Sequence, residues 1–322
     1  MFESLELAAS NLTSPPVLAF VLGLIAVGLR SKLEIPPQIF SALSIYLLLA
    51  IGIKGGVGLR QADPAHIALP IALAIIVGLL IPIAAFALLK VLTPLNQTDR
   101  GAIAAHYGST SLVTFTAGLM FVESLGLEAE GYLPTLLAIM EVPGLIVGLV
   151  LARKASKQQS WGPLMHEVLT GKSILLLVGG LVIGAVSGQA GYERVEPFFG
   201  GLFVGLLTLF LLQLGIQAGS HLKELPQAGW GLLVFALAFP LASGFAGVAL
   251  ASWIGLSAGG AAVFGILCAS ASYIAAPAAV KLSLPEANPG FYLTASLGIT
   301  FPFNLIVGIP LFVWFAQLLV GN

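Results

Sequence analysis

Residues 101–114 read GAIAAHYGSTSLVT and residues 268–277 read CASASYIAAP, and both stretches lie inside apolar segments. The first is a poor continuous helix, because glycine loosens the backbone and hydroxyl side chains compete for backbone hydrogen bonds. In the second, Pro277 has no amide hydrogen and leaves a carbonyl group free one turn earlier. The two stretches therefore predict helices that are interrupted in the middle of apolar segments.

The two predicted interruptions belong to a repeat along the chain. Three short matches occur in the same order: residues 49–56 (LAIGIKGG) with 212–219 (LQLGIQAG) at an offset of 163, residues 109–111 (STS) with 270–272 (SAS) at 161, and residues 145–148 (LIVG) with 305–308 (LIVG) at 160. Any one match is weak in an apolar sequence. Three at nearly one offset, close to half the chain length, predict two related halves.

The composition places the chain in a membrane. Hydrophobic residues make up 58% and charged residues only 8%, whereas a soluble domain carries about 25% charged residues. A transmembrane helix needs roughly 20 apolar residues. Ten such segments can be found, near residues 13–29, 37–54, 66–90, 101–122, 132–152, 172–189, 197–219, 228–253, 258–280 and 290–319.

The repeat and the ten segments together predict the fold class. We expect an all-α membrane protein with about ten transmembrane helices in two inverted five-helix repeats, each with one broken helix. Because five is an odd number, the second repeat must enter the membrane from the opposite side, as in many secondary transporters. The first repeat spans residues 1–155, a cytoplasmic linker spans 156–171, and the second repeat spans 172–322.

The basic residues predict the orientation, since lysine and arginine concentrate in cytoplasmic loops. With the N-terminus outside, ten basic residues fall on the inner side and three, Lys54, Arg60 and Arg194, on the outer side. The inner ones are Arg30, Lys32, Lys90, Arg100, Arg153, Lys154, Lys157, Lys172, Lys223 and Lys281. The prediction is a multi-pass protein of the plasma (inner) membrane with both termini periplasmic. A net charge of −1 gives no indication of a nucleic-acid partner.

The paired interruptions predict an anion site. A half-helix that starts in mid-membrane directs free N–H groups and a partial positive charge at its ligand, and hydroxyls add further donors. The candidate anion-binding residues are Gly108, Ser109, Thr110, Ser111, Ser270, Ala271 and Ser272. The hydroxyls of Ser109, Ser111, Ser270 and Ser272, with freed carbonyl groups, are candidate sodium ligands. The alternative is that these small residues only pack helices together.

Three further residues are candidates for function. Glu141 lies in the middle of an apolar segment just before Pro143, and an acid at that depth is a functional candidate by default. The alternative is a neutral or structurally bonded carboxyl group. His106 precedes the first interruption and could exchange protons near neutral pH, or could have a structural role. Tyr273 stands beside the second interruption. Soluble-enzyme motifs are absent, and no cofactor is predicted beyond sodium as a possible coupling ion.

At these motifs the sequence resembles the sodium-dependent bicarbonate transporters first known from cyanobacteria. The resemblance runs from the first apolar helix to Gln317. It rests on residues 108–110 (GST), 141–143 (EVP), 285–289 (PEANP), 309–312 (IPLF) and 316–317 (AQ). The resemblance implies ten helices, an elevator-like movement of one bundle, a homotrimer, coupling to inward sodium, and a PII-like regulatory protein on the cytoplasmic face.

One departure from the family pattern bears on coupling. Where the family has Ser-Ser-Ser-Asp, this chain has residues 270–273 (SASY), so that Tyr273 replaces an acid. Fewer charged ligands generally weaken the binding of hard cations. We therefore expect sodium dependence to be weaker than in the cyanobacterial relatives, or replaced by proton coupling.

The leading functional prediction is a secondary transporter that imports bicarbonate together with sodium, and not an enzyme. A second interpretation is a related permease for another small anion or carboxylate, proton-coupled through His106 or Glu141. A third, of another class, is a non-transporting membrane receptor or scaffold in the lipid bilayer. Matched interruptions in both halves argue against the third, because a scaffold has no use for them.

Overall fold

The computed structural model describes residues 12–152, 161–221 and 225–321, and these residues form helices and connecting segments without a strand. The helices are α1 (Pro15–Gly28), α2 (Pro37–Gln61), α3 (Pro64–Leu92), α4 (Gln97–Gly108), α5 (Leu112–Ser124), α6 (Leu133–Ala152), α7 (Trp161–Leu169), α8 (Lys172–Glu193), α9 (Glu196–Phe199), α10 (Phe203–His221), α11 (Leu225–Trp253), α12 (Ala258–Ala269), α13 (Ala276–Ser283) and α14 (Pro289–Val320).

Seven spans among the described residues are long and apolar enough to cross a membrane. They are α2, α3, α6, α8, the α9–α10 pair, α11 and α14. The predicted all-α membrane class is therefore confirmed. The other three predicted spans do not appear as long single helices: α1 has 14 residues, and the segments at 101–122 and 258–280 are each divided in two. The count of ten stays a prediction.

Two tryptophans lie at or near the ends of the apolar span Gly229–Trp253 within α11. Trp230 and Trp253 are 82% and 85% exposed. At 1.5 Å per residue, the helix between them is roughly 34 Å long, close to the thickness of a bilayer's hydrocarbon core. Tryptophan is enriched at both membrane interfaces. This spacing predicts that the two rings are interfacial anchors of one spanning helix.

Helices α1, α2, α8 and α10 form a panel in which glycines allow close crossings. Where α8 crosses α2, a Cβ atom added to Gly180 would lie 2.9 Å from the Cα of Gly52. Where α10 crosses α1, a Cβ atom added to Gly215 would lie 3.1 Å from the Cα of Gly23. Small residues at such positions let backbones approach and pack without a hydrophobic driving force.

This contact predicts different effects for two adjacent glycines of α8. Gly180→Ala should lower the thermal midpoint of the purified protein, because an added methyl group in a filled contact costs about 1–3 kcal/mol. Gly179→Ala is the matched control, since no atom lies within 4 Å of its added Cβ. Thermal unfolding of both variants in detergent provides the comparison. Equal midpoints for the two would contradict the close crossing.

The remaining long helices form a second group, called here the core bundle, which comprises α3–α6 and α11–α14. Within it α4 packs on α3 and α6, and α12 packs on α11 and α14. Helix α14 has two stretches of wide, π-type turns, at Thr294–Thr300 and Asn304–Gly308. Pro302 and Pro310, which lack an amide hydrogen, follow these stretches. Wide turns of this type are frequent at functional sites.

The predicted linker differs in part from the structure. Residues Trp161–Leu169 form the short helix α7, which packs on α8 and α13 with Val168 buried. The linker prediction rested on the polar run 153–159, and this run lies outside the described residues, as do both chain termini and Lys223. The apolar side of α7 was not recognised because nine residues are too few to stand out as a span.

Candidate functional site

The first interruption separates α4 from α5 at the predicted position. Helix α4 ends at Gly108, and Ser109 and Ser111 have extended backbone conformations (φ −98°, ψ 134° and φ −104°, ψ 113°). Helix α5 then begins at Leu112, where the Ser111 hydroxyl accepts a hydrogen bond from the Thr114 amide at 3.2 Å. This is an ordinary serine N-cap, which stabilises the start of a helix. The predicted interruption is confirmed.

The second interruption separates α12 from α13. Helix α12 ends at Ala269, and Ser270 is extended with φ −82° and ψ 160°. Helix α13 begins at Ala276, whose amide donates to the Ser272 hydroxyl at 3.2 Å. Ser270 donates its hydroxyl hydrogen to the Leu267 carbonyl at 2.8 Å. This predicted interruption is also confirmed.

The two interruptions touch each other. The Ser272 amide donates to the carbonyl oxygens of His106, at 2.7 Å, and Ser109, at 3.0 Å. The Ser111 amide donates to the Ser270 hydroxyl at 3.0 Å. Residues 108–111 and 270–275 are called the crossing from here on. Backbone groups that each broken helix leaves free are therefore partly satisfied by the other helix.

A cavity of about 20 Å³ lies at the crossing. Its polar lining consists of Thr110, Ser111, Glu141, Ser173, Ser272 and Tyr273. This volume suits about one water-sized group, so the cavity is narrow in this conformation. We call it the crossing cavity.

Tyr273 lies in the crossing cavity and connects the two broken helices. Its phenolic oxygen accepts a hydrogen bond from the Ser111 hydroxyl at 3.1 Å, and its ring packs on Phe301 with centroids 5.0 Å apart. The same Ser111 oxygen accepts from the Thr114 hydroxyl at 3.0 Å. The N-cap of α5 is thus joined by hydrogen bonds to Tyr273.

Glu141 reaches the crossing cavity from α6. Its side chain is buried, with the residue 6% exposed, and it borders the cavity together with Ser272 and Tyr273. Among the described residues none donates a hydrogen bond to its carboxyl group or forms an ion pair with it. The alternative of a structurally bonded carboxyl group therefore finds no partner in the described part of the chain.

The other predicted anion-site residues are buried but do not all face the cavity. Thr110 lines it and donates to the Leu137 carbonyl at 3.3 Å. Gly108 lies against α6, where a Cβ atom would come within 2.6 Å of the Gly144 carbonyl oxygen. Ser109 and Ala271 are also buried, and the Ser109 hydroxyl has no hydrogen-bond partner among the described groups. The anion and sodium roles of these residues stay predictions.

His106 is at the crossing only through its backbone. Its ring nitrogen Nδ1 lies 2.7 Å from the Ala102 carbonyl oxygen, and the ring stacks on Tyr292 with centroids 4.4 Å apart. The side chain is fully buried and does not line the crossing cavity. The structure thus brings Glu141 and Tyr273 to the cavity and places the imidazole of His106 elsewhere.

Asn304, a lone polar residue in an apolar segment, also acts at the site. Its side-chain amide donates to the Ala269 carbonyl at 2.7 Å, at the last residue of α12. Asn304 therefore fixes the end of a broken helix from α14. The signal was a lone polar residue in an apolar segment, whereas Ser173, which also lines the cavity, gave no signal at all.

This bond predicts a stability effect. Asn304→Leu should lower the thermal midpoint and reduce transport, because a buried carbonyl group left unsatisfied costs about 1–3 kcal/mol. Gln189→Ala is the control, since that exposed amide bonds only Glu193 one turn away. Unfolding in detergent and transport by the intact protein are the measurements. A midpoint equal to that of the unmodified protein would show that Ala269 finds another donor.

A helical membrane bundle in which two interrupted helices meet at a small cavity lined in part by polar side chains has the arrangement of a membrane transporter. A family model described as the Na⁺-dependent bicarbonate transporter superfamily matches residues 15–317. The match covers nearly the whole chain, and the chain belongs to this family. No curated protein shows significant similarity to it.

Proposed function

We propose that this chain is a secondary transporter that imports bicarbonate, driven by inward movement of sodium. The observation that carries the proposal is the crossing, where the Ser272 amide bonds Ser109 and the Ser111 amide bonds Ser270. Paired helix breaks near the midplane are where secondary transporters bind substrate. Family membership supports bicarbonate as the substrate class.

The crossing supplies groups that suit a small anion without a lysine or arginine. Helices α5 and α13 both begin there, so their N-terminal dipoles are directed at one region. Leu112, Ile274 and Ala275 line the cavity, and their backbone amides have no protein acceptor among the described residues. Free amides at helix N-termini bind carboxylates and phosphates in many proteins. A flat, singly charged oxyanion matches these donors.

Sodium coupling is the finer part of the proposal. Of the four predicted serine ligands, Ser111, Ser270 and Ser272 already cap helices or bond across the crossing, and Ser109 has an unpartnered hydroxyl. Neutral oxygens hold sodium less firmly than carboxylates do. With Tyr273 in place of an acid, we expect a sodium dependence weaker than in cyanobacterial relatives.

The proposed architecture is ten spans in two inverted repeats, residues 1–155 and 172–322, joined by the linker at 156–171. It is supported by matching contacts. Gly52 of α2 meets α8, and Gly215 of α10, which follows it by 163 positions, meets α1. Gly144 packs on the end of α4, and Asn304, which follows it by 160 positions, binds the end of α12. The same pairing of elements thus recurs in both halves.

The proposed orientation has both termini periplasmic in the plasma (inner) membrane. Contacts between loop-proximal residues fall into two sets that agree with it. Lys54 pairs with Glu123 at 2.7 Å, and these residues are both on the predicted outer side. Asp99 accepts from the Asn288 amide at 2.8 Å, and both are on the predicted inner side. Each pair joins residues that the orientation assigns to the same side.

Movement and assembly are proposed from the family resemblance. The panel of α1, α2, α8 and α10 is expected to stay fixed while the core bundle carries the crossing across the membrane. A homotrimer and a PII-like regulatory protein on the cytoplasmic face are the expected partners. The trimer is tested by the molar mass of the detergent-solubilised protein from light scattering, where a monomer mass would contradict it.

The substrate proposal is tested by uptake of labelled bicarbonate into cells that lack other bicarbonate importers, with and without sodium. We expect saturable uptake that sodium increases. Formate, acetate and nitrate should compete poorly. If one of these anions competes better than bicarbonate, the second interpretation, a permease for another small anion, replaces the first. No saturable uptake of any of them would favour a receptor or scaffold.

A further inference from the structure

The crossing cavity contains an unpartnered acid beside groups that suit an anion. Glu141 is 6% exposed and borders the cavity, and among the described residues no lysine or arginine pairs with it. The contrast is Glu123, whose carboxylate has Lys54 at 2.7 Å. Buried carboxylates are normally paired or bonded, because desolvation of an isolated charge is costly. Glu141 therefore needs a partner that the described residues do not supply.

The same cavity receives the N-terminal ends of α5 and α13, with the hydroxyls of Ser111, Ser272 and Tyr273 around it. An anion held by these groups would lie close to the Glu141 carboxyl group, because the cavity is only about 20 Å³ in volume. Two negative charges at such a distance in a low-dielectric site repel strongly. The anion can therefore bind well only when a cation neutralises Glu141.

We propose that Glu141 carries the coupling cation, and that anion binding at the crossing requires a monovalent cation, Na⁺ or H⁺, on its carboxylate. This inference rests on the proposed transport of a small anion. It moves the cation from the four serine hydroxyls to an acid on α6. Protonated Glu141 would donate a hydrogen bond to the anion, and sodium would bridge the carboxylate and the anion. Because coupling is reciprocal, the anion also tightens cation binding by the same factor.

The test uses the intact protein in proteoliposomes and two variants, Glu141→Gln and Glu128→Gln. Two activities are measured: exchange of labelled bicarbonate without any ion gradient, and accumulation driven by an imposed cation gradient. Glutamine is neutral and can donate to the anion, so any exchange by E141Q should be independent of the cation, and its accumulation ratio should fall to about one. E128Q removes a carboxyl group from an exposed loop and should retain both activities.

Two series of conditions distinguish the cations. In one, sodium varies at fixed pH; in the other, pH varies without sodium while the bicarbonate concentration is held constant. In the unmodified protein the saturating cation should raise the apparent bicarbonate affinity on the order of tenfold or more. The series in which the apparent bicarbonate affinity rises shows whether the coupling cation is Na⁺ or H⁺. In E141Q the bicarbonate affinity should be flat in both series.

Several results would overturn the inference. If E141Q keeps the cation response of the unmodified protein, the cation binds elsewhere. If E141Q loses exchange while its thermal midpoint is unchanged, Glu141 binds the anion itself and does not carry the cation. If E141Q does not reach the membrane, Glu141→Asp is used in its place. Glu141→Asp should still respond to the cation, but with a weaker cation affinity than the unmodified protein. A cation affinity equal to that of the unmodified protein, or no cation response at all, would contradict the inference. If the unmodified protein neither exchanges nor accumulates bicarbonate, the proposed function fails first.

Discussion

Replacing Gly144 by leucine is expected to reduce bicarbonate uptake to background. Gly144 of α6 lies against the end of α4, and a Cβ atom there would overlap the carbonyl oxygen and carbon of Gly108. The obstacle is backbone, which cannot rotate away as a side chain can. Overpacking by a few methylenes already costs about 1–3 kcal/mol. Here it should displace Gly108 and so shift the point at which α4 ends.

Uptake and thermal midpoint should be measured together for Gly144→Leu and for Val150→Leu. Val150 lies two turns further along α6 and is 46% exposed, so its enlargement should change neither quantity. Gly144→Ala should give an intermediate loss. Normal uptake by Gly144→Leu would mean that the contact between α6 and the first interruption has no part in transport.

Replacing Tyr273 by aspartate is expected to make uptake strictly dependent on sodium. Aspartate at this position would put a second carboxyl group beside Glu141 in the crossing cavity. Two buried carboxylates disfavour each other, and a hard cation relieves the repulsion while gaining charged ligands. Loss of the ring also removes its packing on Phe301, at a cost of about 3–5 kcal/mol for an aromatic residue. Sodium should recover part of that loss, since a ligand that binds only the folded state stabilises it.

The measurement is uptake and thermal midpoint across a sodium series for Tyr273→Asp, Tyr273→Phe and the unmodified protein. Tyr273→Phe keeps the ring and removes the bond to Ser111, so it should lower uptake modestly and leave the sodium response unchanged. If Tyr273→Asp shows no greater sodium response than the unmodified protein, the tyrosine is a packing residue. Strong, saturable sodium dependence in the unmodified protein would show that the replacement of the family's acid matters little.

The interruptions could be predicted because their cause is local. The run 108–111 is a poor helix, and Pro277 is suited to the first turn of a new helix, where its missing amide hydrogen is tolerated. The offset of 161 indicated that the two interruptions correspond. The N-cap of α5 follows from the same run, since the Ser111 hydroxyl accepts from the Thr114 amide in the next turn. Local chemistry thus specified where α5 begins.

The partners across the crossing could not be predicted in the same way. Asn304 binds Ala269 across 35 positions, and Ser111 binds Tyr273 across 162, so that these contacts depend on how α14 and α13 dock. The wide turns of α14 also escaped prediction, because a wide turn differs from an ordinary one only by where its carbonyl groups find donors. Glu141 was recognised as unusual from its position, but its lack of a partner is a property of the packed bundle.

The most direct test of the account is accumulation of labelled bicarbonate by proteoliposomes that contain only the purified protein, under an inward sodium gradient and, separately, an inward proton gradient. The unmodified protein should raise internal bicarbonate above its equilibrium level under one of the two gradients. Gly144→Leu, which overlaps the end of α4, should not. Uptake no greater than in protein-free liposomes under both gradients, or equal accumulation by the two proteins, would contradict the account.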